Sequence, residues 1–252
     1  MECHARWLTL LGCLAAQGCG EPLVERLTEV EQCPAVRLQG RLELTSVASD
    51  VAGITLRGSD AALANSDVTL SREGASISSP QHQLQVRLHC AGLNSLELIG
   101  EVDGELSEAV GGLHTIGVYG VSRLHLQGAA AEVMTVRVAG QGQLMLTDVI
   151  ADQVDLQAAG DSRVVLSGES DSAVFNVSGQ SEIDASAFSA QQVYVALDGR
   201  SRTVLHVGAH LRGSVAPSAQ LSYSGTPDVA LDPGQGASSA TAREAKAGVR
   251  GQ

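Results

Sequence analysis

Aromatic side chains are nearly missing from this 252-residue chain: one Trp, three Tyr and two Phe, 2% in all. That scarcity argues against a thick globular core of large rings and against an extensive glycan cleft lined by aromatic platforms. Lysine is just as scarce, Lys246 standing alone against fifteen Arg, and the formal net charge is −12. So acidic a surface disfavours nucleic acid and anionic lipid as partners. No apolar run approaches the eighteen or more residues that a membrane-spanning helix needs. Cysteine never occurs as CxxC, which disfavours zinc, and HExxH, a P-loop and a dinucleotide fingerprint are absent. The calcium-binding nonapeptide GGxGxDxUx is missing too. The residues therefore point to no metal, no cofactor and no catalytic constellation.

Glycine is plentiful, with 28 residues, and it is periodic. Gly120, Gly140, Gly160, Gly179 and Gly199 recur every nineteen or twenty residues. The segments that follow read GVSRLHLQ, GQGQLMLT, GDSRVVLS, GQSEIDAS and GRSRTVLH. Two residues after each glycine sits Ser122, Gly142, Ser162, Ser181 or Ser201, always small. Apolar residues then alternate, as in Val164/Leu166 and, before the next glycine, Ala173/Phe175/Val177. Each unit thus reads as turn, period-two strand, turn, period-two strand. Such a repeat is the mark of an all-β fold, a parallel β-helix or β-solenoid with rungs of about twenty residues. Rungs stack about 4.8 Å apart, and roughly nine are expected. The turn glycines are expected at positive φ, where a Cβ is costly.

The amino terminus has the order of an export signal, with Arg6, the apolar run Leu8–Ala16, and small residues at Ala16 and Gly18 before Cys19. Trp7 would leave with that signal. Cys19-Gly20-Glu21 resembles the lipidated cysteine of a bacterial lipoprotein, although Ala16 and Gln17 depart from the usual box. Leu10-Leu11-Gly12-Cys13 matches the box better but leaves a signal of only twelve residues. Lipidation of Cys19 leaves Cys33 and Cys90 as an even pair, candidates for a disulfide in an oxidising compartment. Two buried free thiols are the alternative.

The expected organisation is a signal peptide over 1–18, a tether over 19–35, the β-solenoid over 36–230 and a disordered tail over 231–252, where the composition turns small, polar and non-periodic. Strands begin at Val36, but clean repetition begins only near Gly100, because terminal solenoid units are commonly atypical.

The stretch SAVFNVSGQSEIDASAFSAQQVYVALDGRSRTVLHV, followed by LSYSGTPDV, resembles the putative auto-transporter adhesin, head GIN domain family. VRLQGRLELTSV and LNSLELIG fit that family's first strands, so the resemblance covers about Val36 to Val229. It implies a right-handed β-solenoid, a bacterial envelope location and no established biochemical activity. The family's repeated Gly-Ser-Gly-Asp turns are replaced here by GQSE, GRSR, GDSR and GQGQ.

Two outward columns follow from the period. Three residues after the glycines come Arg123, Gln143, Arg163, Glu182 and Arg202, expected as an exposed ion-pair ladder worth ~0–1 kcal/mol per pair. Val165, Val174, Tyr194 and Val204 are the candidate interaction face, since an exposed apolar patch marks a partner or oligomer surface. Acids that a polysaccharide-cleaving β-helix would cluster are scattered: Asp148, Asp152, Asp155, Asp161, Asp171, Asp184 and Asp198 fall at different offsets. GDSR at 160–163 superficially matches a serine-esterase block, yet Ser162 belongs to the small-residue column and reads as a turn residue. His206 and His210, four apart, do not share a helical face in a strand context. The functional expectation is a non-enzymatic, lipid-anchored envelope module presenting side-chain columns to a protein or glycan, with the column around Tyr194 as the binding site. Membrane contact is expected only through the lipid anchor. A polysaccharide-active β-helix enzyme and a homo-oligomeric scaffold are the alternatives.

Overall fold

The computed structural model describes residues 23–30, 34–47, 52–89, 92–107, 112–233 and 239–242. These form a β-solenoid of about seven turns with a spacing near twenty residues. The chain divides into two compact units at Ala130/Ala131.

In the first unit the strands are β1 (Val24–Glu29), β2 (Ala35–Ser46), β3 (Gly53–Gly58), β4 (Asp67–Ser71), β5 (Gly74–His89), β6 (Ser95–Leu106) and β7 (Thr115–Gly120). A single helical turn, α1 (Asp60–Ala64), starts where the Ser59 hydroxyl accepts from the Ala62 N–H. Sheet order is β1-β3-β5-β2-β6-β7. β2 is parallel to both β5 and β6, whereas β1–β3, β3–β5 and β4–β5 are antiparallel. Strands spent on antiparallel pairing add no rung, which is why about seven turns form rather than nine. β1 lies inside the segment read as a tether, so part of that segment is sheet.

The chain passes through β8 (Arg123–Gly140) into β9 (Gln143–Gly160), β10 (Arg163–Val177), β11 (Glu182–Leu197), β12 (Arg202–Val215), β13 (Gln220–Gly225), β14 (Asp228–Pro233) and β15 (Ser239–Ala242). From β9 to β13 neighbours in sequence are neighbours in space, all parallel. β14 pairs with β12 and β15 with β13, so strands continue into the segment read as a tail.

The register carries the sequence period into stacked columns. Leu144, Val164 and Ile183 lie side by side, as do Leu156, Phe175 and Val195, all 0–2% exposed. Burying such aliphatic stacks supplies the driving force that no single rung has. One polar column runs through this interior. Ser162, Ser181 and Ser201 are buried; the Ser162 hydroxyl donates to Ser181 Oγ at 2.9 Å, and Ser181 Oγ reaches the Ser178 carbonyl.

Gly120, Gly140, Gly160, Gly179 and Gly199 have φ between +66° and +84°. The N–H after each of Gly160, Gly179 and Gly199 donates to the carbonyl of the glycine one rung back, at 2.7–2.8 Å. A Cβ on Gly160, Gly179 or Gly199 would lie 2.5–2.6 Å from that same oxygen. The corner therefore needs glycine for close approach as well as for φ. The second turn of each unit is a bend within a continuous strand rather than a break. Gly128, Asp148 and Gly168 hold it, at φ 74°, 57° and 129°, with a register shift at Leu166/Gly168.

Candidate functional site

Alternation along β9–β12 and β14 sends every second residue outward, and the parallel register aligns those residues into a grid. One outward column reads Asp155, Val174, Tyr194, Arg212, Ala230. On one side of it runs Gln153, Ser172, Gln192, His210, Asp228; on the other runs Gln157, Asn176, Ala196, Ser214, Asp232. Tyr194 stands at the centre with 49% of its surface exposed. Its ring is the large hydrophobic of this grid that meets solvent, and sheet on both sides holds its backbone in place. Tyr194 Oη, the Gln192 amide and the Asn176 amide make no hydrogen bond among the described residues. Their donors and acceptors are free for a ligand.

The charges around Tyr194 are already partnered. Arg212 Nη2 lies 2.8 Å from Asp228 Oδ2, and His210 Nδ1 is 3.9 Å from the same oxygen. The hydrogen bond from Arg212, then its charge, holds the Asp228 carboxyl below its usual range, and His210 adds to this. On the far side Gln153 Nε2 donates to Asp155 Oδ1 at 3.0 Å.

The other sequence-derived sites come out differently. Val174 and Tyr194 are adjacent in one column, but Val165 and Val204 lie in another, with Asp184 between them. The four are therefore not one continuous apolar column, because nine residues separate Val165 from Val174 along the same bent strand. Glu182 sits between Arg163 and Arg202 in register, yet no ion pair among the described residues includes it. Arg202 donates to Gln220 instead, at 3.1 Å. Ion pairs form where acid and base face each other nearer the start: Arg37–Glu97, Arg41–Glu101 and Arg123–Asp103. Ser162 is buried in the hydroxyl column, away from any substrate. No group of three or more His, Cys, Asp or Glu able to hold a metal occurs among the described residues. His206 Nδ1 pairs with Ser224 Oγ at 2.9 Å, while His210 faces Asp228, so the two histidines serve separate contacts. Cys19, Cys33 and Cys90 lie outside the described residues.

Residues 34–227 match the family described as putative auto-transporter adhesin, head GIN domain. The chain belongs to this family. Solved structures share the fold. A protein of Parabacteroides distasonis described as a putative adhesin superposes with a TM-score of 0.70 at 13% identity, over 88% of this chain and 98% of that one. A second P. distasonis protein, described as a putative lipid binding protein, gives 0.69 at 14% identity, over 90% and 98%. A putative adhesin of Bacteroides fragilis gives 0.64 at 14%, again over 90% and 98%. No curated protein matches the sequence. At these identities the likeness is one of fold.

Sequence reasoning named Tyr194 and, without placing it beside Tyr194, His210; the neighbours Gln192, Asn176, Arg212 and Asp228 went unnamed. Gln192 and Asn176 were readable in principle, since each lies two residues from a member of the Tyr194 column on the same strand face. Asp228 was not: its place beside Arg212 depends on β14 returning to β12 rather than stacking on β13.

Proposed function

We propose that this GIN-domain chain is a non-enzymatic interaction module of the bacterial envelope. It is exported, held at the membrane by a lipid on Cys19, and binds through the outward face centred on Tyr194. The observation that carries the reading is the grid itself: an exposed aromatic on an in-register sheet, flanked by the Gln192 and Asn176 amides, which make no hydrogen bond among the described residues. Side chains on such a sheet are positioned before a ligand arrives, which lowers the ordering cost of binding. The family description supports an adhesin-like role at the cell surface.

Surface display tests the reading. Cells expressing the full chain are scored for adherence to immobilised envelope material, wild type against Tyr194→Ala. Loss of adherence at equal display supports the Tyr194 face; equal adherence removes it. Intact mass and fractionation test the anchor, which requires an acylated mature chain beginning at Cys19 in the membrane fraction.

A further inference from the structure

Resting on that reading, we infer that the Tyr194 face takes an uncharged oligosaccharide, with a sugar ring lying flat on the Tyr194 ring and its hydroxyls bonded by Gln192 and Asn176. Three observations converge on this chemistry.

The first is shape. Tyr194 is 49% exposed on the outward sheet face, with Val174 and Ala196 on two sides and Arg212 and Gln192 on the other two. The surface suits a flat ligand with an apolar face, which is what the C–H side of a pyranose offers to an aromatic ring. The second is hydrogen-bonding capacity. Gln192 precedes Tyr194 by two residues on β11, and Asn176 sits diagonally across on β10. Each amide supplies two donors and an acceptor, and a vicinal diol matches such a group in both roles. The third is charge. Arg212, the cation beside Tyr194, is taken by Asp228, and Asp155 lies beyond Val174. A uronate or sulfated sugar would meet acids on both sides without an unpaired cation to receive it.

A protein partner fits less well. A stable protein interface buries roughly 800 Å² on each side around a desolvated apolar centre. Here polar groups begin one residue away from Tyr194 in most directions.

The experiment uses the full chain on an array of neutral gluco-, manno- and xylo-oligosaccharides and their uronate- and sulfate-bearing counterparts, at low and high salt. Neutral sugars should bind with little salt dependence. Tyr194→Ala should weaken binding more than tenfold, and Gln192→Ala or Asn176→Ala about 3–10-fold, the loss of one or two hydrogen bonds. All three positions are solvent-facing, so unchanged melting temperatures will show the variants folded. Binding confined to charged sugars and weakened by salt overturns the inference while keeping the Tyr194 face. Failure of every sugar on the array, with adherence still lost in Tyr194→Ala, overturns it in favour of a protein ligand. Sugar binding indifferent to Tyr194→Ala overturns both this inference and the function on which it rests.

Discussion

The two units of the described chain build columns of the same kind from different chain paths. From β9 to β13, each strand pairs with its neighbours in sequence, and the period of about twenty residues is the rung. Around β2 the spacing is quite different. Gly40 pairs with Gly100 and Leu38 with Leu98, sixty residues on, while Gly40 meets Ser79 on its other side. Gly100 in turn pairs with Gly120 and Leu98 with Val118. Within the first unit the glycine corner and the aliphatic columns therefore start at β2, ahead of the regular repeats in sequence. Between β2 and β6 the chain detours through β3, α1, β4 and β5 before returning to the stack. Residue type at each rung position, rather than distance along the chain, selects the neighbour. A glycine corner admits another close backbone, and an inward leucine seeks another apolar column.

The strongest way to break that comparison is a buried charge at equivalent depth in each region. Phe175→Asp and Leu98→Asp should each cost more than about 4 kcal/mol, because an unpaired carboxylate would stand in a column 0–1% exposed. Chemical denaturation followed by circular dichroism will read this. A clearly milder Leu98→Asp would mean that the irregular region packs more loosely than its columns imply.

Corner crowding sharpens the comparison further. Gly160 and Gly92 share nearly the same φ, +84° and +87°, but a Cβ meets the Gly140 carbonyl oxygen at 2.6 Å in the first and nothing within 4 Å in the second. Gly92→Ala should cost only the left-handed backbone penalty, about 1–2 kcal/mol. Gly160→Ala should cost about 1–2 kcal/mol more, since close-packed neighbours must shift. Equal midpoints for the two variants would show that stacking imposes no demand beyond φ.

A gain is expected where the regular columns admit a misfit. Thr203 follows Ile183 in the aliphatic column and is fully buried, and its Oγ1 has no hydrogen-bond partner among the described residues. Thr203→Val keeps the shape and removes the unpaired hydroxyl, so it should stabilise by about 1 kcal/mol. A lower denaturation midpoint would show that the hydroxyl is satisfied in solution.

The smallest effect lies at β14. A carboxyl with a depressed folded pKa contributes stability that is present above its unfolded pKa, near 3.8, and is lost as pH falls through the folded value. Asp228 should therefore titrate below the ordinary range, and Arg212→Gln should move it upward, as NMR of the carboxyl carbon will report. An unmoved titration would separate Arg212 from Asp228 in solution.

Much of the inward architecture was legible because apolar alternation and glycine spacing are local patterns. Val164, Leu166, Ala173, Phe175 and Val177 were read as alternating apolar positions from sequence, and all are buried. The outward pairings were less legible. Arg163, Glu182 and Arg202 have the expected register but no ion pair, because exposed long side chains gain little from being held together. β1 was hidden in a segment read as a tether, because its pairing is antiparallel and follows no repeat.

Sequence alone determined the repeat, the inward columns and the corners, since each depends on the residue's own size, polarity or φ preference. The tertiary structure decided which strands lie beside β2, where β14 docks, and which polar groups surround Tyr194. Most of those are contacts between residues sixteen to sixty positions apart, and competing long-range pairings, which no local pattern records, choose among them.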